Sequence, residues 1–286
     1  MKSVLFTGSS GQLGFACKEI FPSKFNSLFT SKNAQNESCF LDISNEQSIK
    51  TALDRFRPDV VVNLAAYTDV DGCEKSPKVS KEINLEGLKN LCNNFDGHII
   101  QISTDYVFDG ESGPYLEKDK TNPISVYGKH KLAAENFLSE NRSKYSIIRS
   151  NVLYGNVKSK ACFLAWVVGS LSSSQKINVV EDQWGNPTSV YSLARFISFV
   201  VKNNVYGLYH YADKGIMSRY DFAIMIAKIF KLNPSFIIPI QSSQLKQWAP
   251  RPMQSGLLTK KIEQQLEIEP RTVETCLLDI RKKLAS

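Results

Sequence analysis

The chain has 286 residues, of which 42% are hydrophobic and 22% are charged, and its formal net charge is +7. This length suffices for a large hydrophobic core, and this composition excludes a disordered chain, a fibrous repeat and a disulfide-stapled mini-protein. No apolar run approaches the roughly 20 residues of a membrane span, and Met1–Ser3 leads directly into an apolar strand with no room for a cleavable signal. We therefore expect a soluble, cytoplasmic protein.

The positive charge suits an anionic partner, and a phosphorylated small molecule fits as well as a nucleic acid does. The lysines and arginines are spread along the whole chain, however, which is typical of an ordinary solvated surface. We expect neither a nucleic acid nor a membrane as partner. The six cysteines form no Cys-x-x-Cys pair and only three histidines are present, so we expect reduced, mostly buried thiols and no metal site.

Short apolar strands alternate with amphipathic helices through the first half of the chain. Strands are predicted at 3–7, 27–29, 60–64, 98–102 and 146–149, and helices at 12–21, 46–56, 79–95 and 127–140. This alternation predicts an α/β, doubly wound parallel-sheet Rossmann fold.

The regularity weakens after about residue 155. Helices are predicted at 162–171, 189–201, 218–230 and 272–284, and a strand at 177–180. We expect residues 1–155 to form an NAD(P)-binding Rossmann domain and residues 156–286 to form mainly a smaller C-terminal substrate-binding lobe, with about 186–212 returning to the first domain.

A glycine-rich loop lies between the first predicted strand and helix and reads Gly8-Ser9-Ser10-Gly11-Gln12-Leu13-Gly14. Glycines three apart permit a tight turn, close approach of a pyrophosphate and close packing of helix on strand, while the helix N-terminus attracts the anion. This context favours a dinucleotide site over a purely structural turn. The predicted contacts are Gly8, Ser10, Gly11, Gln12, Leu13 and Gly14.

The second predicted strand ends without the acidic residue that usually holds the ribose 2′-hydroxyl of NAD. It is followed by Thr30-Ser31-Lys32, and the Lys32 cation would neutralise a 2′-phosphate. The sequence thus favours NADPH over NADH, which stays the alternative cofactor. The alternative interpretation of Lys32 is an ordinary solvated residue.

Tyr127 and Lys131 lie four residues apart at the start of a predicted helix, so both face the same way. A cation close to a phenol lowers the pKa of the phenol, and such a tyrosine is a general acid for carbonyl reduction. Thr104, followed by Asp105, comes just after the strand predicted at 98–102, at the sheet edge where ligands bind. Thr104 would hydrogen-bond the substrate carbonyl oxygen as it gains negative charge; the alternative is that Ser103 or Asp105 caps a turn.

Together these features resemble the extended short-chain dehydrogenase/reductases. Four further blocks are similar to the dTDP-4-dehydrorhamnose reductases: residues 61–71 (VVNLAAYTDVD), 103–110 (STDYVFDG), 181–188 (EDQWGNPT) and 251–261 (RPMQSGLLTKK). The likeness extends from residue 7 to residue 261. STDYVFDG followed by YGKHK is specific for these nucleotide-sugar 4-ketoreductases and their close relatives.

The resemblance implies roles for individual residues. Thr104, Tyr127 and Lys131 match the catalytic residues, with Lys131 also holding the nicotinamide ribose. Asp42 and Ile43 match the pair that flanks the adenine, and Leu64, Ala65 and Ala66 match the small apolar residues against which the cofactor lies. The matched substrate-binding positions are Thr68, Val70, Thr104, Asp105, Gln183, Thr188, Arg251 and Ser255.

The chain departs from the family at several positions. Where relatives read Arg-Thr-Ser-Trp-Val-Tyr with a Trp near the sugar, this chain reads Arg149-Ser150-Asn151-Val152-Leu153-Tyr154. Leu258 stands where many members carry Asn or Asp. Phe15 and Ala16 follow the glycine loop in place of glutamates linked to a magnesium-bridged dimer, so we expect no metal and either a monomer or a homodimer.

The resemblance implies an NADPH-dependent reduction of dTDP-4-dehydro-L-rhamnose to dTDP-L-rhamnose for polysaccharide biosynthesis. Two alternatives stay open. One is a reductase of another nucleotide-linked 4-keto-6-deoxysugar. The other is a non-catalytic regulatory subunit similar to the β subunit of methionine adenosyltransferase, which shares much of STDYVFDG and acts through a partner.

Overall fold

The computed structural model describes residues 1–34, 39–155 and 162–285. The strands in these ranges are Ser3–Thr7 (β1), Asn26–Phe29 (β2), Val60–Asn63 (β3), His98–Thr104 (β4), Tyr145–Ser150 (β5), Leu153–Tyr154 (β6), Ile177–Val180 (β7), Trp184–Gly185 (β8), Thr188–Ser189 (β9), Gly207–His210 (β10), Met217–Ser218 (β11) and Ile237–Ile240 (β12). The α-helices are Gln12–Ile20 (α1), Glu46–Phe56 (α2), Val70–Lys75 (α3), Pro77–Lys81 (α4), Gly87–Asn94 (α5), Val126–Asn141 (α6), Phe163–Ser172 (α7), Val190–Asn203 (α8), Arg219–Phe230 (α9), Lys260–Gln265 (α10) and Val273–Ala285 (α11). A π-helical segment, Glu82–Glu86, joins α4 to α5.

A six-stranded sheet forms the centre of the fold in the order β10-β5-β4-β3-β1-β2, and every neighbouring pair is parallel. Successive strand residues point to opposite faces. In β1, Val4 and Phe6 pack with α1 and α8 on one face, whereas Leu5 packs with α2 on the other. Helices therefore cover both faces, which confirms the predicted doubly wound Rossmann fold.

Strand β10 has no counterpart among the predicted strands. It pairs with β5 through Leu208 and Ile147 and forms one edge of the sheet. Its sequence, Gly-Leu-Tyr-His, begins with a glycine at φ +110° and ends with a histidine, so it lacks the continuous apolar run that marks the central strands. Tertiary pairing, and not local propensity, makes this segment a strand.

The helix predicted at 79–95 is interrupted in the structure. Its first residues, 79–81, belong to α4, and the π-helical turn at Glu82–Glu86 separates α4 from α5. Such turns are frequent at functional sites because they rotate a side chain out of the regular helical register. Here the turn contains Ile83, which lines the cleft described below, and Asn84, whose side chain hydrogen-bonds the Tyr67 backbone.

A second apolar cluster lies among α7, α9, α11 and the pair of strands β7 and β12. Its fully buried members include Leu164, Phe222 and Leu277. Strand β12 was also not among the predicted strands, because two of its four residues are exposed and one of them is Pro239. The division of the chain into a Rossmann domain and a lobe remains a prediction. No helix in the described ranges is long and apolar enough to cross a membrane.

Candidate active site

A cleft of about 580 Å³ opens at the carboxyl ends of β1, β3, β4 and β5. Its volume lies in the range of small-molecule and cofactor sites. Every residue that the sequence predicts to contact the cofactor lines it. These are Gly8, Ser10, Gly11, Gln12, Leu13, Gly14, Lys32, Asp42, Ile43, Leu64, Ala65, Ala66, Tyr127 and Lys131.

The glycine loop has the backbone geometry that its residue types suggest. Gly8 adopts φ +61°, and a Cβ there would lie 2.5 Å from the Ala65 backbone. A Cβ on Gly14 would lie 2.5 Å from Ser9, so this glycine lets α1 pack closely on the loop. At Gly11 the nearest atom to an added Cβ is the Gly8 oxygen at 3.6 Å, which leaves the loop surface open toward the cleft.

Two polar networks hold the floor of the cleft. The Thr7 hydroxyl donates to Asn63 Oδ1 (2.5 Å), and Asn63 Nδ2 donates to Gln101 Oε1 (2.7 Å), which ties β1, β3 and β4 together. Asn84 in the π-helical turn accepts the Tyr67 N–H (2.9 Å) and donates to the Tyr67 oxygen (3.0 Å). The loop that carries Ala65, Ala66 and Thr68 is therefore fixed on both sides.

Thr104, Tyr127 and Lys131 lie together in the cleft, as the sequence predicts. Thr104 ends β4, and the other two residues lie in the first turns of α6, which Ser125 caps by accepting the Gly128 N–H. All three side chains are buried, with residue exposures of 7%, 9% and 2%. Lys131 Nζ donates to the Ile102 carbonyl oxygen (2.6 Å), which fixes the ammonium beneath the cleft.

Burial controls the ionisation of this pair. It raises the pKa of Tyr127, the Asp105 carboxylate raises it further, and a hydrogen bond with Thr104 opposes them. Burial lowers the pKa of Lys131 to about 8, while the negative charge of Glu135 opposes that shift. The predicted net lowering of the Tyr127 pKa is therefore not found in this structure, because desolvation of the phenolate dominates. The phenol stays protonated at neutral pH, which is the form that donates a proton.

A buried ion pair lies directly beneath Lys131. Arg149 donates to both carboxylate oxygens of Glu135, with Nη2 to Oε2 at 2.7 Å and Nε to Oε1 at 3.0 Å, and both side chains are 4% exposed. The Ser103 hydroxyl also donates to Glu135. This bidentate arrangement compensates the desolvation of both charges and places a carboxylate one helical turn from Lys131.

Lys32 and Asp42 face each other at the end of the cleft where the sequence predicts the adenine. Lys32 Nζ lies 2.8 Å from Asp42 Oδ2, with side-chain exposures of 64% and 17%. The hydrogen bond to Asp42 and the charge of that carboxylate raise the pKa of Lys32. Lys32 is therefore a cation at this edge, but the ion pair with Asp42 partly neutralises its charge.

A narrow recess opens from the cleft toward the C-terminal half. Asp105, Tyr106, Asn151 and Val152 line both spaces. Asn151 Nδ2 donates to Asp105 Oδ2 (2.9 Å) and to the Ser255 oxygen (3.1 Å), so these residues form one buried network. Burial raises the pKa of Asp105 to about 6, against the hydrogen bonds from Ser255 and Thr104.

The predicted substrate-binding residues divide between these spaces. Thr68, Val70, Thr104 and Asp105 line the cleft, and Asp105, Gln183 and Ser255 line the recess.

Thr188 and Arg251 line neither space. Thr188 is fully buried, and its hydroxyl donates to the Asn186 oxygen (2.9 Å). Arg251 Nη2 donates to Asp71 Oδ1 (2.9 Å), where it fixes the loop at Ala249. Burial works to raise the pKa of Asp71, but the Ala249 N–H and Arg251 outweigh it, so that pKa is lowered.

The cleft and recess also contain residues that the sequence did not single out. The buried Ser150 hydroxyl lines the cleft and has no hydrogen-bond partner within the described residues. Arg219 lines the recess at the first position of α9. A cation at the first position of a helix interacts unfavourably with the helix dipole. This unusual placement is the signal by which Arg219 could have been found in the sequence.

The cleft fits a dinucleotide on these observations. The loop leaves its surface open at Gly11, the small side chains of Ala65 and Ala66 form a wall, and the Ser150 hydroxyl is left for a ligand to satisfy. No group of three or more His, Cys, Asp or Glu side chains able to hold a metal lies in the part of the chain that the structure describes.

Comparison with known proteins agrees with this arrangement. The family model described as RmlD substrate binding domain matches residues 1–286. The chain belongs to this family. A dTDP-4-dehydrorhamnose reductase of Aggregatibacter actinomycetemcomitans is 30% identical over 98% of this chain and 99% of its own length.

Two solved structures have the same fold over nearly the whole chain. A dTDP-4-dehydrorhamnose reductase of Clostridium acetobutylicum is 33% identical, with a TM-score of 0.90 over 99% of this chain and 100% of its own. The enzyme of the same name from Bacillus anthracis, solved in complex with NADP, is 29% identical with a TM-score of 0.91 over 99% of each chain.

Proposed function

We propose that this chain is an NADPH-dependent reductase of the C4 keto group of a nucleotide-linked deoxysugar. The substrate is dTDP-4-dehydro-L-rhamnose and the product is dTDP-L-rhamnose, for polysaccharide biosynthesis. The observation that carries the proposal is that Thr104, Tyr127 and Lys131 line one cleft with the glycine loop. The names of the relatives from Aggregatibacter, Clostridium and Bacillus support the choice of substrate.

In this reaction Tyr127 is the proton donor. The nicotinamide supplies a hydride to C4 when it is bound, and the sugar oxygen then needs one proton to become a hydroxyl. Tyr127 keeps its proton at neutral pH because burial raises its pKa, and its hydroxyl lies beside Thr104. Thr104 accepts the Tyr106 N–H and donates to Asp105 (3.1 Å), so the position of its hydroxyl oxygen is fixed before the substrate arrives.

Lys131 stabilises the negative charge that Tyr127 carries after it gives up its proton. The ammonium is held by the Ile102 oxygen, and Glu135 favours its charged form against the effect of burial. Lys131 would also contact the nicotinamide ribose. The protein thus supplies a proton donor and a fixed cation at the same wall of the cleft.

The preference for NADPH rests on the adenine end of the cleft. Lys32 offers a cation where many NAD enzymes place an acid, and its partner Asp42 lies on the same edge. The Bacillus anthracis structure in complex with NADP supports this assignment. In the same proposal residues 1–155 hold the cofactor and later segments, with Gln183 and Ser255, frame the nucleotide sugar.

The test is a screen of 4-keto sugars linked to dTDP, GDP, CDP and UDP, with NADPH and NADH compared at 340 nm. We expect oxidation of NADPH to be fastest with dTDP-4-dehydrorhamnose. If a different sugar is preferred, the assigned substrate is wrong but the assigned reductase activity stands. Absence of turnover with every sugar, together with tight co-purification with a synthetase, would contradict the reductase and favour the regulatory subunit.

A further inference from the structure

The recess beside the catalytic cleft contains a cation whose role is not explained by packing. Arg219 lines it together with Gln183, Trp184 and Ser255. The ion pairs found among the described residues do not include Arg219. Its contacts are a hydrogen bond with Tyr106 and the face of Phe163, whose ring centre lies 5.6 Å from the guanidinium carbon.

The surroundings of Arg219 favour an anion. Arg219 is the first residue of α9, so the positive end of a 12-residue helix adds to its charge. Among the described residues that line the recess, Asp105 is the carboxylate whose charge acts on Arg219. The pKa of Asp105 is raised to about 6, and Asp105 already accepts a hydrogen bond from Asn151. Burial works against the charged form of Arg219, so a ligand oxygen would stabilise it.

The size of the recess limits what can enter. With a volume of about 20 Å³ it admits one oxygen atom or a hydroxyl, but not a sugar ring. It opens from the cleft at Asp105, next to Thr104 and Tyr127. Arg219 lines the recess and not the cleft, whereas Tyr127 lines the cleft and not the recess, so a ligand whose reacting carbon lies at Tyr127 would meet Arg219 with a group remote from that carbon.

In a nucleotide sugar that group is the diphosphate. We infer that Arg219 donates to an oxygen of the substrate diphosphate at the mouth of the recess. Arg251, which the resemblance matches to a substrate-binding position, is instead paired with Asp71. Trp184 lines the same recess and is 42% exposed, so its ring is available to stack on a nucleoside base. The inference rests on the proposed function for the identity of the ligand.

The test compares the affinities of dTDP, dTMP and thymidine for the full chain by calorimetry in the presence of NADP. The variants are Arg219→Gln, which removes the charge, and Arg219→Lys, which keeps it without the planar donor pair. Arg195→Gln is the matched control because Arg195 is an exposed arginine in α8 that lines neither space.

We expect Arg219→Gln to weaken dTDP roughly 10- to 100-fold, as for a lost hydrogen bond to a charged group, with thymidine unchanged. Arg219→Lys should bind dTDP with intermediate affinity, and Arg195→Gln should match the wild type. Equal dTDP affinity of wild type and Arg219→Gln, or equal weakening of dTDP and thymidine, would overturn the inference. If Arg219→Gln does not fold, the comparison of Arg219→Lys with wild type decides in the same way.

The two proposals fail differently. If the dTDP results are as expected but no 4-keto sugar is reduced, the assignment of Arg219 stands and the reductase is wrong. If dTDP-4-dehydrorhamnose is reduced and Arg219→Gln changes only its KM, with dTDP affinity unaltered, Arg219 contacts the sugar and not the diphosphate, which overturns the inference.

Discussion

Replacing Glu135 by Gln would test the buried ion pair beneath Lys131. The change keeps the shape of the side chain and removes the charge that Arg149 contacts through Nε and Nη2. Breaking a buried pair by removing one partner costs about 3–5 kcal/mol of unfolding free energy. With an unfolding entropy of about 2 cal/mol/K per residue, a chain of 286 residues should lose roughly 5–8 °C in Tm.

The same change should alter catalysis in a way that a purely structural role would not. Glu135 works to raise the pKa of Lys131, which burial lowers to about 8. Without that carboxylate the pKa of Lys131 falls further, so the ammonium is lost at lower pH. The alkaline limb of the kcat profile, which falls as pH rises through the pKa of Lys131, should move to lower pH.

The assays are thermal unfolding followed by calorimetry and the pH dependence of NADPH oxidation. Glu140→Gln provides the control, because it is the same chemical change at an exposed position of the same helix. In the double variant Glu135→Gln/Arg149→Met, the loss of unfolding free energy should be smaller than the sum of the single losses, since no charge is left unpaired. A Glu135→Gln variant with unchanged Tm and an unmoved alkaline limb would refute the reasoning.

Three further predictions concern the cleft. Tyr127→Phe should retain cofactor affinity by fluorescence titration but lose at least about 100-fold in kcat, because only the proton donor is removed; undiminished turnover would contradict the assignment. Gly14→Ala should weaken cofactor binding and lower Tm, because the added Cβ would lie 2.5 Å from Ser9. Its control is Gly169→Ala, which has no atom within 4 Å of the added Cβ and should stabilise α7 by about 0.5–1 kcal/mol. Equal effects of the two substitutions would show that the close approach of Gly14 to Ser9 is unimportant. The third prediction concerns Asp105, whose pKa is about 6 in the folded state and 3.8 ordinarily. Between pH 3.8 and 6 the folded state binds more protons than the unfolded state, so the wild type loses stability as the pH rises through this range. Urea unfolding at pH 4 to 7 should therefore find Asp105→Asn gaining stability relative to wild type across that window, and a constant difference would count against a buried, titrating carboxyl.

The N-terminal half of the site could be predicted from sequence because its signals are local. The glycine spacing at Gly8–Gly14 and the four-residue spacing of Tyr127 and Lys131 each specify a backbone geometry, and the structure has both. The parallel sheet followed equally from short apolar strands that alternate with helices. The edge strand β10 escaped prediction because its pairing with β5, and not its own residues, makes it extended.

The C-terminal side of the site could not be placed because its contacts are long-range, although the helices and the strand predicted after residue 155 are found as α7, α8, α9, α11 and β7. Arg251 pairs with Asp71, 180 positions away, and no pattern near either residue announces that contact. The ionisation of Tyr127 was misjudged for a related reason. The spacing reveals the neighbouring lysine. The direction of the pKa shift of Tyr127 is decided by the extent of its burial, however, and burial depends on the whole fold.

The most direct test of the proposed reductase follows one hydrogen atom. NADPH carrying deuterium at C4 of the nicotinamide would be incubated with the protein and dTDP-4-dehydrorhamnose, and the product would be analysed by mass spectrometry and NMR. The proposal predicts one deuterium at C4 of the hexose, formed by the wild type and greatly slowed in Tyr127→Phe. Tight binding of NADPH without deuterium at C4 of this or any other 4-keto sugar would contradict it.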